Sequence, residues 1–240
     1  MTHAAPSQQI SLFCLPFSGG TVYSYQKFKP HFPKSVVMIP VELPGHGKRI
    51  REPLLTDIHA MIENLYAQIR PKLQTPYALY GHSLGALLSY LLICKFAREQ
   101  APLPFHLFVS GHQGPSIPEK DKNLHLLPRQ EFILRLQQYG GIPQEVAEHN
   151  ELMDLFVPMM KADFQAISEY QYTPAPKLNL PITVMFGSKD EISREEALAW
   201  QEVAAQKIQL QEFSGRHFFI FEHPQAIAQL ISHTLFRNFA

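Results

Sequence analysis

The chain has 240 residues, of which 45% are hydrophobic and 18% charged, a composition typical of a globular protein that buries a sizeable core. Its 21 basic and 21 acidic residues cancel, so no net field attracts nucleic acid or an anionic membrane. The 12 histidines form no cluster with the spacing of metal ligands, and we expect neither a metal site nor a bound cofactor.

The cysteines and the start of the chain both favour a cytoplasmic protein. Cys14 lies in an apolar run and Cys94 in an apolar helical pattern, so both are expected to be core residues rather than disulfide partners. Residues 1–9 lack the basic and apolar regions of a secretory signal. The longest apolar stretch, residues 84–97, is too short to span a bilayer. We therefore expect a soluble cytoplasmic protein that does not insert into membranes.

Short apolar runs alternate with helical patterns along the chain. The runs predict strands at residues 10–15, 36–39, 77–80, 106–110, 182–186 and 208–213. Helices are predicted at residues 58–69, 84–96, 194–203 and 224–236. Strands separated by helices favour a mostly parallel sheet with helices on both faces, in which ligands bind at the carboxyl ends of the strands.

Residues 114–173 break this alternation because they carry helical patterns and no strand signal. Two apolar series have helical spacing: Phe132, Ile133, Leu136 and Tyr139, then Leu152, Leu155, Phe156 and Met159. Pro158 is expected to end or kink the second helix. The pattern predicts a single α/β domain over residues 1–240 with a helical lid, residues 114–173, inserted over the active-site end. An ordinary packed helical subdomain is the alternative interpretation.

The pentapeptide Gly81-His82-Ser83-Leu84-Gly85 lies between a predicted strand and a predicted buried helix. In that context it is typical of the nucleophile elbow of serine hydrolases, where a tight turn exposes the serine and glycines let the chains pass closely. The start of the following helix offers free N–H groups to an anion formed at the serine. Ser83 is therefore the predicted nucleophile of an α/β-hydrolase fold, and a serine that merely caps a core helix is the alternative.

A serine nucleophile needs a histidine to take its proton and a carboxylate to orient that histidine. In α/β-hydrolases these groups follow in the order serine, acid, histidine. Asp190 comes just after the predicted strand at residues 182–186 and is the predicted acid. Glu191 is its nearest competitor, and a helix-capping role is the structural alternative for Asp190. The preceding strand end, residues 110–113, carries no carboxylate.

The base is predicted from the loop after the last strand. His217 ends a loop of small residues there and is the predicted base. His223 lies at a predicted helix start and is expected to be structural. For His46, His82 and His112, a surface or hydrogen-bonded structural position is the favoured interpretation.

An oxyanion hole needs N–H donors close to the serine. The backbone N–H of Leu84, directly after the nucleophile, is the first predicted donor. The second is expected from the loop of residues 15–20, whose paired glycines let a backbone amide face the site. Ser18 is the predicted donor and Phe17 the alternative, unless Gly19-Gly20 forms only a tight turn.

Together with several longer stretches, these motifs resemble the type II thioesterases of nonribosomal peptide and polyketide synthesis. The resemblance runs from the first predicted strand to the C-terminus and is carried by residues 12–20, 42–49, 81–86, 139–143, 158–164, 187–190 and 215–219. The stretches 42–49 and 161–164 are more specific than the elbow because general esterases lack them. Phe17 and Ser18 depart from the family, which often has another aromatic residue or a histidine, then an alanine, at these positions.

The resemblance implies a serine thioesterase with Ser83, Asp190 and His217 as its triad and an acyl-serine intermediate. Its implied substrate is an acyl thioester on the 4′-phosphopantetheine arm of an acyl or peptidyl carrier protein. The carrier protein is therefore the implied partner, and the arm belongs to the substrate rather than being a cofactor. The implied task is the removal of stalled or wrong acyl groups from synthases. Nothing in the sequence argues strongly against a monomer.

Apolar lid residues are the candidate lining of an acyl pocket, with ordinary core packing as the alternative for each: Phe132, Phe156, Met159, Met160 and Phe164. The basic run at residues 48–51 is a candidate contact for the phosphate of the arm or for an acidic carrier protein, although a solvated loop is favoured. Two other functions stay open: a carboxylesterase or lipase for small free esters, and a non-catalytic binding module with the same fold. The absence of a secretion signal and the thioesterase-specific stretches weigh against the first, and the complete set of triad residues weighs against the second.

Overall fold

A parallel sheet of six strands forms the centre of the fold. The computed structural model describes residues 9–73, 76–142 and 144–239. The strands are β1 (Ile10–Leu15), β2 (Val36–Pro40), β3 (Tyr77–His82), β4 (His106–Ser110), β5 (Ile182–Gly187) and β6 (Gln209–Phe213). They lie in the order β2-β1-β3-β4-β5-β6, and every neighbouring pair is parallel. The carboxyl ends of all six strands therefore meet at one edge of the sheet.

Helices connect the strands and cover both faces of the sheet. They are α1 (Ile58–Ile69), α2 (Leu84–Arg98), α3 (Arg129–Gln138), α4 (Gln144–Ala147), α5 (Asn150–Glu169), α6 (Arg194–Leu198), α7 (Phe219–Glu222) and α8 (Pro224–Phe239). Within the described residues, none of these helices combines the length and the low polarity needed to cross a bilayer. The architecture is the predicted α/β fold.

The alternation of side chains along the strands separates two apolar cores. In β3, Tyr77 and Leu79 pack with α1 and α2, whereas Ala78 and Tyr80 pack with α8 on the opposite face. All six residues of β3 are buried, as expected for a strand at the middle of a parallel sheet. The turn between β3 and α2 is therefore attached to a strand that is tightly packed on both faces.

The connection from β4 to β5 contains α3, α4 and α5, and its described residues contribute no strand to the sheet. These helices have a small apolar core of their own, which consists of Leu124, Phe132, Leu136, Ile142, Met153, Val157 and Met160. Phe164 on α5 packs against both this core and the main one, so the helical segment is joined to the body of the domain.

Pro158 does not end the second predicted helix of this segment, because α5 continues through it to Glu169. Proline removes one N–H donor, which leaves the carbonyl of Asp154 without its helical partner. Pro158 and Asp154 both lie exposed on the helix surface, where water can bind that carbonyl. Of the two predicted effects of Pro158, an end of the helix is therefore wrong and a kink stays a prediction, and α5 carries Met153, Asp163 and Phe164 on one helix.

The remaining differences concern the ends of elements. The last strand begins one residue late, and α6 stops at Leu198, where a 3₁₀ turn over Ala199–Glu202 replaces the rest of the predicted helix. The indole of Trp200 in this turn is fully buried and donates a hydrogen bond of 2.9 Å to the carbonyl of His112, which fixes the path of the turn. The short helix α7 had no sequence signal. Both cysteines are free, as predicted. Residues 1–8 and Pro143 lie outside the described residues.

Two glycines allow backbone segments to touch at the start of α2. A Cβ atom at Gly81 would lie 2.0 Å from the carbonyl oxygen of Gly85. A Cβ at Gly85 would lie 2.6 Å from the carbonyl oxygen of Leu15 and 2.9 Å from that of Pro16. Any side chain at either position therefore forces β3, α2 and the loop after β1 apart.

We expect Gly85→Ala to lower the free energy of unfolding by about 2–3 kcal/mol, because a methyl group there meets immovable backbone. Gly140→Ala is the matched control, since no atom lies within 4 Å of its Cβ position and only its φ of +78° opposes a side chain. That backbone strain costs about 1–2 kcal/mol. Thermal unfolding followed by circular dichroism measures both changes, and an equal or smaller effect at Gly85 contradicts the packing argument.

Candidate active site

Ser83 lies in the turn between β3 and α2, at the carboxyl end of a central strand. Its φ of 53° and ψ of −122° fall in a region that residues with a Cβ rarely occupy, which is the strain expected of a nucleophile elbow. The Ser83 N–H donates to the carbonyl of Ser110 at the end of β4, at 2.8 Å, and this bond holds the turn on the sheet. Although Ser83 is at the N-cap position of α2, its hydroxyl makes no capping hydrogen bond. Helix capping therefore does not account for this hydroxyl.

Asp190 and His217 form a hydrogen-bonded pair at the same edge of the sheet. Nδ1 of His217 lies 3.2 Å from Oδ1 and 3.2 Å from Oδ2 of Asp190. The Asp190 side chain is 1% exposed and the His217 side chain 15% exposed. The loops that carry them are joined where the N–H of Lys189 donates to the carbonyl of Gly215 at 2.9 Å. Pairing of Nδ1 with the carboxylate leaves Nε2 as the nitrogen that can accept a proton.

The neighbouring carboxylate, Glu191, is directed to a different partner. Its Oε1 and Oε2 accept hydrogen bonds of 3.1 and 3.0 Å from the guanidinium of Arg135 on α3. The N-cap of α6 is Ser193, which forms a capping box with the third residue of that helix, so Asp190 is not the cap. The geometry thus favours Asp190 over Glu191 as the partner of His217, and it removes the capping alternative.

Two buried histidines, His82 and His112, surround this pair. The ring of His82 lies 4.9 Å from that of His217, centre to centre, and its Nδ1 lies 3.0 Å from the Ser110 hydroxyl. Burial, followed by the charge of His217, holds the pKa of His82 well below its ordinary value. Burial likewise lowers the pKa of His112, whose Nδ1 lies 2.6 Å from the carbonyl of Gln113. Neutral rings add no repulsion when His217 takes up a proton.

The predicted oxyanion donors lie where the elbow meets the loop of residues 15–20. Among the described residues, the N–H groups of Leu84, Ser18 and Phe17 find no protein acceptor. The Ser18 hydroxyl is also buried without a protein partner in that part of the chain. Phe17, Ser18 and Ser83 line one cavity. These N–H groups are therefore free to bind an oxyanion, and Leu84, Ser18 and Phe17 all stay predicted donors.

The cavity beside Ser83 has a volume of about 200 Å³, and Asp190 and His217 also contribute to its wall. No hydrogen bond joins Ser83 to His217 among the described residues. Such bonds are often long in sites without substrate and shorten when the substrate binds. The helical connection between β4 and β5 contributes polar residues, among them Glu119 and Lys120, and most of the apolar lining: Leu136, Ile142, Val146, Met153, Phe156, Met160, Phe164 and Ile167.

Of the five residues predicted to line an acyl pocket, three lie in this wall: Phe156, Met160 and Phe164. Phe132 does not, because it is fully buried inside the core of the helical segment, where its ring meets Phe164 edge-on at 5.9 Å. Met159 is buried as well and is absent from the wall, although its Cε lies 3.9 Å from the Cβ position of Gly19. The apolar spacing predicted the helices but not which apolar side chains face the cavity.

Sequence reasoning missed one polar cluster next to the site. The Oδ2 atom of Asp163 accepts a hydrogen bond of 2.8 Å from the N–H of Gly19 and lies 3.0 Å from Nε2 of His46. Asp163 and His46 are 0% and 1% exposed. Both belong to the stretches that distinguish the resembled family from general esterases, and this was the signal available in the sequence.

The basic run at residues 48–51 is divided between two environments. Arg49 is engaged internally, since its guanidinium donates to the side chains of Glu52 and Asn64. Lys48 is exposed, with its ammonium 5.6 Å above the centre of the Tyr23 ring. Arg49 therefore stabilises the loop in which it lies, whereas Lys48 faces solvent.

Comparison with known proteins identifies the family. A family profile described as "Thioesterase domain" matches residues 10–235. This chain belongs to the thioesterase family. It is a hydrolase that acts on thioesters. The thioesterase is 33% identical to the gramicidin S biosynthesis protein GrsT of Aneurinibacillus migulanus over 215 residues, which cover 89% of this chain and 84% of that protein.

Two solved structures are similar over almost the whole thioesterase. The crystal structure of ClbQ from the colibactin NRPS/PKS pathway has a TM-score of 0.91 and 31% identity, and the match covers 96% of this chain and 98% of that one. The type II thioesterase BorB from the borrelidin biosynthetic cluster has a TM-score of 0.86 and 32% identity, with 96% and 94% covered. The predicted α/β-hydrolase fold and the predicted resemblance to type II thioesterases are thereby confirmed.

We expect Val146→Phe to shorten the acyl chain that this thioesterase accepts, because Val146 lines the cavity and a ring there occupies its volume. The kcat/KM for a decanoyl thioester should fall by about tenfold or more relative to that for an acetyl thioester. Leu134→Phe is the control, since Leu134 is 59% exposed on α3. Equal losses for both acyl chains would mean that the cavity does not hold the acyl group.

Proposed function

We propose that this thioesterase hydrolyses acyl thioesters on the 4′-phosphopantetheine arm of acyl or peptidyl carrier proteins. In this way it removes stalled or wrong acyl groups from synthases of secondary-metabolite biosynthesis. The observation that carries the proposal is the Asp190–His217 pair beside a largely apolar cavity that Ser83 shares. The biological setting is supported by ClbQ, from an NRPS/PKS pathway, and by BorB, from a biosynthetic cluster.

In the proposed reaction, the Ser83 hydroxyl attacks the thioester carbonyl while Nε2 of His217 takes its proton. Asp190 keeps the imidazole oriented and stabilises its charged form. The carbonyl oxygen becomes negative and accepts hydrogen bonds from the N–H of Leu84 and from that of Ser18, or of Phe17 in its place. Collapse of this intermediate breaks the carbon–sulfur bond and leaves an acyl-serine, while the proton held by His217 passes to the departing sulfur, so the arm leaves as a thiol and His217 is neutral again. Water activated by His217 then releases the carboxylic acid and restores Ser83.

A thioester suits this arrangement better than an ester. Its carbonyl is more electrophilic, and a thiolate leaves with little help from a general acid because the pKa of a thiol is about 8.5. The apolar wall contributed by α3, α4 and α5 then receives the acyl chain, and its methionines adapt to chains of different shape. The reaction needs no metal or cofactor, since the phosphopantetheine arm arrives as part of the substrate.

The helical segment at residues 114–173 is proposed to act as a lid over this cavity. Its support is that most of the apolar wall comes from α3, α4 and α5, so a movement of the segment changes the space beside Ser83. We also propose that the protein works as a monomer in the cytoplasm. The free thiols of Cys14 and Cys94 fit a reducing compartment.

We expect acyl-carrier protein to be hydrolysed with a higher kcat/KM than the same acyl group on coenzyme A, and with a far higher one than a free nitrophenyl ester. Turnover assays with one acyl group on all three carriers provide the measurement, and Ser83→Ala is the blank. A strong preference for the free ester would replace the proposal with a carboxylesterase. Failure of a fluorophosphonate reagent to label Ser83 in the wild-type protein would instead favour the non-catalytic binding module.

We expect Asp190→Asn to lower kcat by about 10⁴-fold, because the amide stabilises the wrong tautomer of His217. Glu191→Gln should leave kcat within about threefold, since it weakens only an exposed contact with Arg135. Steady-state assays of both variants, with circular dichroism to verify folding, distinguish the two carboxylates. If Glu191→Gln is the damaging change, the acid is Glu191.

A further inference from the structure

One buried carboxylate, that of Asp163, joins three segments that are far apart in the chain. Asp163 lies on α5, Gly19 in the loop after β1, and His46 in the loop after β2. The N–H of Gly19 donates to Oδ2 at 2.8 Å, and Nε2 of His46 lies 3.0 Å from the same oxygen. Oδ1 of Asp163 is buried and has no protein partner among the described residues. The two contacts therefore converge on a single oxygen.

His46 is held for this contact from its other side as well. Its Nδ1 lies 2.9 Å from the carbonyl of Pro44, so both ring nitrogens act as donors when the ring is protonated. Burial opposes the charge, but hydrogen bonding to Asp163 and the charges of Asp163 and Glu42 outweigh it and raise the pKa of His46. The second carboxylate, that of Glu42, accepts from the N–H groups of Val22 and Lys48, at 3.0 Å each.

The point of attachment is next to the predicted oxyanion donors. The N–H of Gly19 and the carbonyl of Ser18 belong to one peptide plane, so anchoring that N–H fixes the peptide directly after the one that carries the Ser18 N–H. The Cβ position of Gly19 lies only 3.1 Å from Cγ of Met160, which also stands on α5. Two side chains of α5, those of Asp163 and Met160, thus contact this peptide.

The same helix also forms part of the cavity wall. Met160, Phe164 and Ile167 line the cavity, and Asp163 lies between them in the sequence. A shift of α5 that widens the cavity therefore moves the anchor of Gly19 as well. Stability alone does not account for the buried Asp163–His46 pair, because a buried ion pair commonly stabilises a fold no better than apolar residues of the same size.

We propose that Asp163, supported by His46, is a positioning residue that holds the oxyanion loop, residues 15–20, in its reactive arrangement beside Leu84. The inference rests on the proposed function of this site. Removal of the Asp163–His46 pair is then expected to slow the chemical step. Removal of a pair that only attaches α5 to the sheet affects stability alone.

The test replaces the pair with apolar side chains of similar size in the double variant Asp163→Leu/His46→Phe. This change preserves packing and removes the acceptor of the Gly19 N–H. We expect the thermal midpoint to stay near that of the wild type, KM for an acyl N-acetylcysteamine thioester to stay within about threefold, and kcat to fall by about 100-fold. Asp163→Asn should retain most of the wild-type kcat, because its amide oxygen still accepts from Gly19.

Asp154→Leu is the matched control on the same helix. Asp154 is exposed and pairs with Arg129, away from Gly19, so kcat should not change. A folded double variant whose kcat lies within about threefold of the wild type overturns the proposal. So does a double variant in which KM rises and kcat is kept, since that pattern indicates lost substrate binding.

A measurement on the wild-type chain decides the matter if the double variant does not fold. The Gly19 amide should exchange with deuterium slowly in the free protein. Exchange should be slower still after a phosphonate is attached to Ser83, because the phosphonate oxygen binds the oxyanion loop and holds it against α5. Fast exchange in both states overturns the proposal. A wild-type protein that hydrolyses no thioester refutes the proposed function itself, whereas an active wild type with an equally active double variant refutes only the positioning role.

Discussion

Direct contact between backbone segments at the start of α2 governs the geometry of this enzyme. Gly81 lets β3 touch the first turn of α2, and Gly85 lets that turn touch the loop after β1. No side chain intervenes, so peptide groups rather than rotamers set the spacing between the Ser83 turn and the backbone at Leu15 and Pro16. The support is stiff, because β3 is buried along its whole length between two apolar cores. Proposed donors held in this way need no rearrangement when charge develops, which is the condition under which they are most effective.

Two adjacent carboxylates in the loop after β5 bind different parts of the structure. Asp190 turns towards His217 and Glu191 towards Arg135, although they are neighbours in the chain. The loop after β5 is tied to the loop after β6 through the N–H of Lys189, so the proposed acid and the proposed base are placed relative to each other by the backbone. Glu191 in turn connects this pair to the helical segment that forms most of the cavity wall.

Much of the fold was predictable because its signals are local. The strands are short apolar runs, α1 and β1 begin and end where their patterns do, and the elbow at Ser83 is recognisable between a buried strand and a buried helix. The choice between Asp190 and Glu191 was harder, since it depends on the direction of a turn. The contacts of Asp163 and His46 were beyond local reasoning, because they join residues 117 positions apart. The same applies to Pro158, whose effect on α5 depends on water having access to one face of the helix.

Arg135 links the helical segment to the loop after β5 through its ion pair with Glu191, whereas its contacts with Asp121 and with the ring of Tyr139 lie within the segment. These contacts are partly open to solvent, where an ion pair contributes about 1 kcal/mol or less. An ion pair of this strength breaks at thermal energies, and dissolved salt weakens it further by screening its charges. Of the contacts that hold the proposed lid, this ion pair is therefore one that breaks easily, and a higher salt concentration is expected to loosen α3 near the Asp190–His217 pair while α5 stays packed on the main core.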